Sequence, residues 1–89
     1  MFLHVGNSYI INTNDIVGIF DMDNTTVSRI GREFLSNAQK QGLIVNTTEE
    51  LPKSYILANS KEGTKVYISS ISSQVLLKRA KSGITQLAQ

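Results

Sequence analysis

At 89 residues, 40% of them hydrophobic, 18% charged and with a net charge of +2, the chain suits one domain whose core stays modest unless copies assemble. Zero cysteines exclude disulfides, thiolate catalysis and thiolate zinc sites, and His4 alone cannot build an imidazole metal site, so neither a metal nor any other cofactor is expected. No run approaches the ~18 apolar residues of a membrane span and the N-terminus lacks a secretory pattern, so a cytoplasmic protein that does not engage membranes is expected.

The chain opens with two short strands, Phe2 to Val5 and Tyr9 to Asn12, around Gly6-Asn7-Ser8, whose residues tolerate positive φ and so suit a hairpin turn. Asn12-Thr13-Asn14-Asp15 then turns the chain into an apolar strand, Ile16 to Phe20, which Gly18 weakens.

Two chemistries compete for the residues after this strand. Asp21, Asp23 and Thr25 at the end of an apolar strand resemble the first motif of haloacid-dehalogenase-type phosphatases, where paired carboxylates serve as nucleophile and general acid/base around Mg²⁺. That family also needs a phosphate-binding Ser or Thr, a Lys and a distal acidic pair on further parallel strands, and the 63 residues after Thr26 leave too little chain for such crossovers. The favoured reading is a polar turn of Asp21, Asp23 and Asn24, with Thr25 or Thr26 capping a helix. An enzyme is not expected, nor is a small-molecule substrate.

The main helix is predicted over Val27 to Gln41: Val27, Ile30, Phe34, Leu35 and Ala38 recur at helical spacing, Arg29 and Glu33 lie one turn apart, and Gly42 is a natural stop. Leu43 to Val45 should re-enter the sheet, and Thr47 to Pro52 is a polar connection. Lys53 to Ala58 and Thr64 to Ser69 form a second hairpin across Asn59 to Gly63, with Val66 and Ile68 on one face and Lys65, Tyr67 and Ser69 on the other. Ser72 caps a last short helix through Val75, Leu76, Leu77 and Arg79, whose last turn would hold Lys78, Arg79 and Lys81. The sequons at Asn24 and Asn46 read as turn chemistry. The expectation is an α+β domain over 1–81, a small, mostly antiparallel sheet with one main helix and a short C-terminal helix. A polar tail, 82–89, has no firm pattern and is a candidate for disorder.

Charge is uneven. Residues 1–27 hold three aspartates and no Lys or Arg, a charge of −3, whereas the remainder sets nine cations against four glutamates, a charge of +5. Any basic surface comes from the later part, which points toward nucleic acid or another acidic partner.

FLHVG (Phe2 to Gly6), DIVGIFD (Asp15 to Asp21), REFL (Arg32 to Leu35), LPKS (Leu51 to Ser54) and ISSISSQVLLKR (Ile68 to Arg79), in this order and spacing, resemble the RemA/RemB family of bacterial extracellular-matrix regulators, most nearly its RemB branch. The resemblance implies an α+β subunit that forms ring-like homo-oligomers and binds double-stranded DNA to influence transcription of biofilm-matrix genes. It also shows departures: DNA-binding members carry Arg where this chain has Asn14 and Asp15, and further Arg where it has Glu50, Leu51 and Pro52. Lys53, Lys78 and Arg79 fall within matching segments and are the first candidates for phosphate contact, followed by Arg29 and Arg32. An oligomeric scaffold that has lost DNA binding is the alternative. RNA binding would need exposed stacking aromatics, for which Tyr9, Tyr55 and Tyr67 are the candidates, although a core role suits them better.

Overall fold

Asn7 adopts φ +44° between Gly6 and Ser8, and the reversal there joins β1 (Phe2–Gly6) to β2 (Tyr9–Asn12) as an antiparallel hairpin. The computed structural model describes residues 1–23 and 28–88, so the expectations for Asn24, Thr25, Thr26 and Val27 lie outside the described residues. A 3-10 turn, Thr13–Asp15, starts where the Asn12 side chain accepts the Asn14 N–H at 3.0 Å, and it leads into β3 (Ile16–Asp21). The remaining elements are α1 (Arg29–Lys40), β4 (Ile44–Asn46), β5 (Ser54–Ser60), β6 (Gly63–Ser69) and α2 (Ser73–Ala88). The fold is α+β, as the alternation of short apolar runs with one long helical pattern implied.

The hairpin β1-β2 stands apart from a four-stranded sheet of order β3-β5-β6-β4. β3 and β6 each pair antiparallel with β5, while β4 runs parallel to β6, with Ile44 beside Val66 and Asn46 beside Ile68. β3 and β4 therefore run the same way at the two outer positions of the sheet, and α1 is the crossover between them.

Alternation along the central strands divides the core in two. Ile56 and Ala58 face Leu3, Val5, Ile11 and Leu76, so the hairpin and α2 cover one side of the sheet, where Tyr67 also packs. Tyr55 and Val66 face Ala38, with Leu35, Leu43 and Ile68 around them, so α1 covers the other. Val66 and Ile68 thus share one face and Tyr67 the opposite one, as their spacing implied.

α1 begins at Ser28, whose Oγ accepts the Gly31 N–H at 3.3 Å, so the described cap is Ser28. At the far end Gly42, at φ +73°, lets its N–H reach Gln39 O (3.1 Å) and the Leu43 N–H reach Ala38 O (2.9 Å). This paired closure satisfies the last carbonyls and turns Leu43 into the core.

Gly18 has a different reason. A Cβ there would lie 2.7 Å from the Phe20 ring, which folds back over the glycine and stacks on Tyr55 with centroids 5.0 Å apart. Phe34 of α1 stacks on Tyr55 from its other side at 5.9 Å. The register of β3 against β5 shifts between Ile16 and Gly18, leaving Val17 as an extra residue.

A chain of hydroxyls ties the hairpin to the sheet. Thr47, Ser54 and Ser69 are fully buried. Ser69 Oγ donates to Val5 O and accepts the Ile71 N–H at 3.0 Å, Thr47 Oγ1 donates to Ile68 O at 2.7 Å, and Ser54 Oγ donates to Ile71 O at 2.7 Å. Asn7 Nδ2 adds a bond to Thr47 O at 2.7 Å. Burying a hydroxyl is tolerable only when it finds such partners, and among the described residues none of the buried side-chain polar atoms is left without one.

Candidate nucleic-acid interface

Lys53 lies just before β5, held from both sides by its backbone: its N–H donates to Ser69 O (2.8 Å) and its carbonyl accepts the Met22 N–H (2.9 Å). Two anchored peptide groups fix where its Cα sits, while the side chain remains in solvent. Arg29 and Arg32 are exposed on the first turns of α1, and Lys78 and Arg79 are exposed on α2.

Ser73 and Leu76 point α2 into the core, which turns Lys78 outward, since 78 is some 200° around the helix from 76 at ~100° per residue. Ser72 Oγ accepts the Val75 N–H at 3.2 Å, in keeping with the cap expected there. Because α2 runs on to Ala88, Lys78, Arg79 and Lys81 sit within its body and not in its last turn. Their placement therefore gains little from the helix dipole, whose effect fades within one turn of the end.

The five candidate cations do not converge. α1 carries Arg29 and Arg32 on one side of the sheet, and α2 carries Lys78 and Arg79 on the other. Lys53 stands at the strand ends between them. The two places where DNA-binding relatives are expected to carry Arg also separate. Asp15 lies by Ser60 and Lys61 at one end of β5, and Glu50 precedes its other end, about 20 Å away at ~3.3 Å per residue. Lys61 and Lys65 share small clefts with Asp15, a proximity that their places in the sequence did not suggest.

Asp21 closes β3, and its carboxylate accepts the Asp23 N–H at 2.8 Å, which is the turn chemistry expected of Asp. The strand that delivers it is outermost and antiparallel to its neighbour, unlike the parallel strand ends of the phosphatase arrangement. Asn46 makes the same kind of turn, accepting the Thr48 N–H at 3.2 Å. Of the tyrosines, Tyr55 is buried between two phenylalanines and Tyr67 packs in the other core, which leaves Tyr9 exposed and, among the described residues, no platform of exposed tyrosines on the four-stranded sheet.

Comparison with known proteins decides the family. A family model described as "RemA-like: Extracellular matrix regulatory protein A-like" matches residues 2–80. The chain belongs to the RemA-like family. It is 35% identical over 80 residues to the protein named extracellular matrix regulatory protein B of Bacillus subtilis (strain 168), and the match covers 90% of each chain. The matched span holds both sheets, α1 and the first half of α2, so the similarity of this RemA-like chain to its family covers most of the fold and not a local motif. Among the described residues no helix is long and apolar enough to cross a membrane.

Proposed function

We propose that this RemA-like protein is a cytoplasmic, homo-oligomeric regulator of extracellular-matrix genes that binds double-stranded DNA through its phosphate backbone. The observation that carries the reading is the family match from residue 2 to 80, which contains all five candidate cations, each of them exposed.

The geometry bears on how such binding would work. One face of a subunit presents only two of these cations on a helix, Lys78 and Arg79 or Arg29 and Arg32. Neutralising two phosphates gives a salt dependence of only about −1.8 in log K against log salt, at ~0.9 per phosphate. A subunit bound this way holds DNA weakly. Several copies presenting the same cations along a duplex multiply the contacts, and binding gains by avidity without any base being read.

The test is duplex binding by fluorescence anisotropy between low and moderate salt, using two unrelated sequences. Expected is binding to both, with a salt slope well steeper than about −1.8, the mark of several engaged subunits. Failure to bind either duplex at low salt overturns the reading. In that event the scaffold alternative stands, which Asp15 and Glu50 favour, since acidic side chains in place of Arg repel phosphate.

A further inference from the structure

Polar side chains are left without partners at one end of the four-stranded sheet. Elsewhere the buried hydroxyls of Thr47, Ser54 and Ser69 are all hydrogen-bonded. In the cleft beside the β5-β6 turn, by contrast, the Asp15 carboxylate, the Lys65 ammonium and the Tyr67 hydroxyl make no hydrogen bond or ion pair among the described residues, although all three residues are half-buried and line the same space. None of the buried side-chain polar atoms lacks a partner, so solvent reaches the Tyr67 hydroxyl. Three such groups, unpaired together, call for a reason.

The strand register shows how the gap arises. Ala58 of β5 pairs with Ile16 of β3 on one side and with Lys65 of β6 on the other. At ~4.8 Å between neighbouring strands, Lys65 and the residue that follows Asp15 stand about 10 Å apart, with only a methyl group between them. Ile10 and Ile11 of the hairpin close one wall. The rim is held in place: the Asn12 side chain accepts the Asn14 N–H at 3.0 Å and fixes the turn that carries Asp15, while Ser60 Oγ accepts the Glu62 N–H at 3.2 Å and fixes the tip of β5-β6. Two opposite charges are thus kept apart across a space and do not collapse onto each other.

Size and charge narrow the class of occupant. The cleft has a volume of about 110 Å³, less than the ~150 Å³ of a cavity that holds benzene, so it takes about five or six non-hydrogen atoms. Lys61 and Glu62 stand at the adjoining cleft, which shares Asp15, so this end of the sheet sets two cations against two carboxylates. A phosphate there meets repulsion from Asp15 and Glu62, and a metal ion finds a single half-buried carboxylate beside an ammonium. A molecule that carries an ammonium and a carboxylate of its own satisfies both protein charges at once, through charge-assisted hydrogen bonds of ~2.8 Å.

We infer that the cleft between Asp15 and Lys65 binds a small α-amino acid. Its ammonium pairs with Asp15, its carboxylate pairs with Lys65 and accepts from the Tyr67 hydroxyl, and its short side chain lies over Ala58 against Ile10 and Ile11. The site is at the opposite end of β5 from Lys53 and depends on neither duplex binding nor assembly.

The experiment is a titration of the full chain with L-alanine, followed by amide nitrogen–proton correlation NMR, with acetate and ethylamine as ligands that carry one charge each. Expected are saturable shifts centred on Asp15, Ala58 and Lys65 with alanine, and binding weaker by at least about tenfold for either single-charge ligand, since each forfeits one charged hydrogen bond. Asp15→Asn and Lys65→Met should each weaken alanine by a similar factor, whereas Lys61→Met, which alters only the adjoining cleft, should bind as wild type does. Far-UV circular dichroism checks folding, and Lys65→Gln serves if Lys65→Met disturbs β6. Shifts that fail to saturate or lie away from the cleft, acetate or ethylamine binding as well as alanine, or folded Asp15 and Lys65 variants that bind like wild type would each overturn the assignment.

Discussion

The hydroxyl of Ser69 donates to the carbonyl oxygen of Val5 across 64 residues of sequence, and both residues are fully buried. The same hydroxyl accepts the Ile71 N–H at 3.0 Å, so one side chain joins the first strand, the last strand and the approach to α2.

Removing it should therefore be costly. Ser69→Ala leaves the Ile71 amide without the hydroxyl that accepts it and removes the donor that the Ser69 side chain offers the Val5 carbonyl. Such a loss costs about 1–3 kcal/mol. In a chain of this size each kcal/mol moves the melting temperature by about 4–8 °C. Ser70→Ala, at a half-exposed neighbour, should change stability by less than about 0.5 kcal/mol. Thermal unfolding at one fixed protein concentration checks the contrast, since Tm depends on concentration for any chain that self-associates; equal shifts for the two variants would refute it.

Gly18→Ala tests the ring that lies over the glycine. The added methyl would meet Phe20 at 2.7 Å and push it off Tyr55, forfeiting a stack worth about 0.5–1.5 kcal/mol. With no tryptophan in the chain, near-ultraviolet circular dichroism reads tyrosine and phenylalanine directly. The aromatic band should weaken while the far-ultraviolet spectrum holds, and an unchanged aromatic band would mean that the ring has not moved.

At the start of α1, Ser28→Ala removes the acceptor of the Gly31 N–H and should cost about 1 kcal/mol, whereas Ser28→Asp keeps an acceptor and should cost little. Denaturant unfolding distinguishes the two, and equal midpoints would show that the cap contributes nothing.

Arg79→Glu should lower duplex affinity to the same degree for every sequence, and flatten the salt slope by about one for each subunit engaged. Lys53→Glu should act in the same direction. Anisotropy titrations on two unrelated duplexes measure both, and unchanged affinity in the pair would remove these residues from the interface.

Much of this architecture was readable from local chemistry. Alternation separated Val66 and Ile68 from Tyr67, and Gly42 marked the end of α1, because both signals depend on a few neighbouring residues. What neighbours do not encode was harder to see. Ile30 and Phe34 fit a helix stripe, but periodicity says only which residues share a face, not what covers it, and both are exposed. The hydroxyls of Thr47, Ser54 and Ser69 looked like turn or strand polarity, and their burial appears only once distant strands meet. Likewise Arg29, Arg32, Lys78 and Arg79 are recognisable as cations, yet their division between the two sides of the sheet follows from the crossover through α1.

Val17 guards the edge of the sheet. β3 is an outermost strand whose Ile-Val-Gly-Ile-Phe run, if flat, would expose a row of open amides and carbonyls to any similar strand, the template on which fibrillar stacking grows. The extra residue between Ile16 and Gly18 breaks that row and increases the local twist. Copies that meet at this edge are thereby denied a flat strand pairing that could extend without closing.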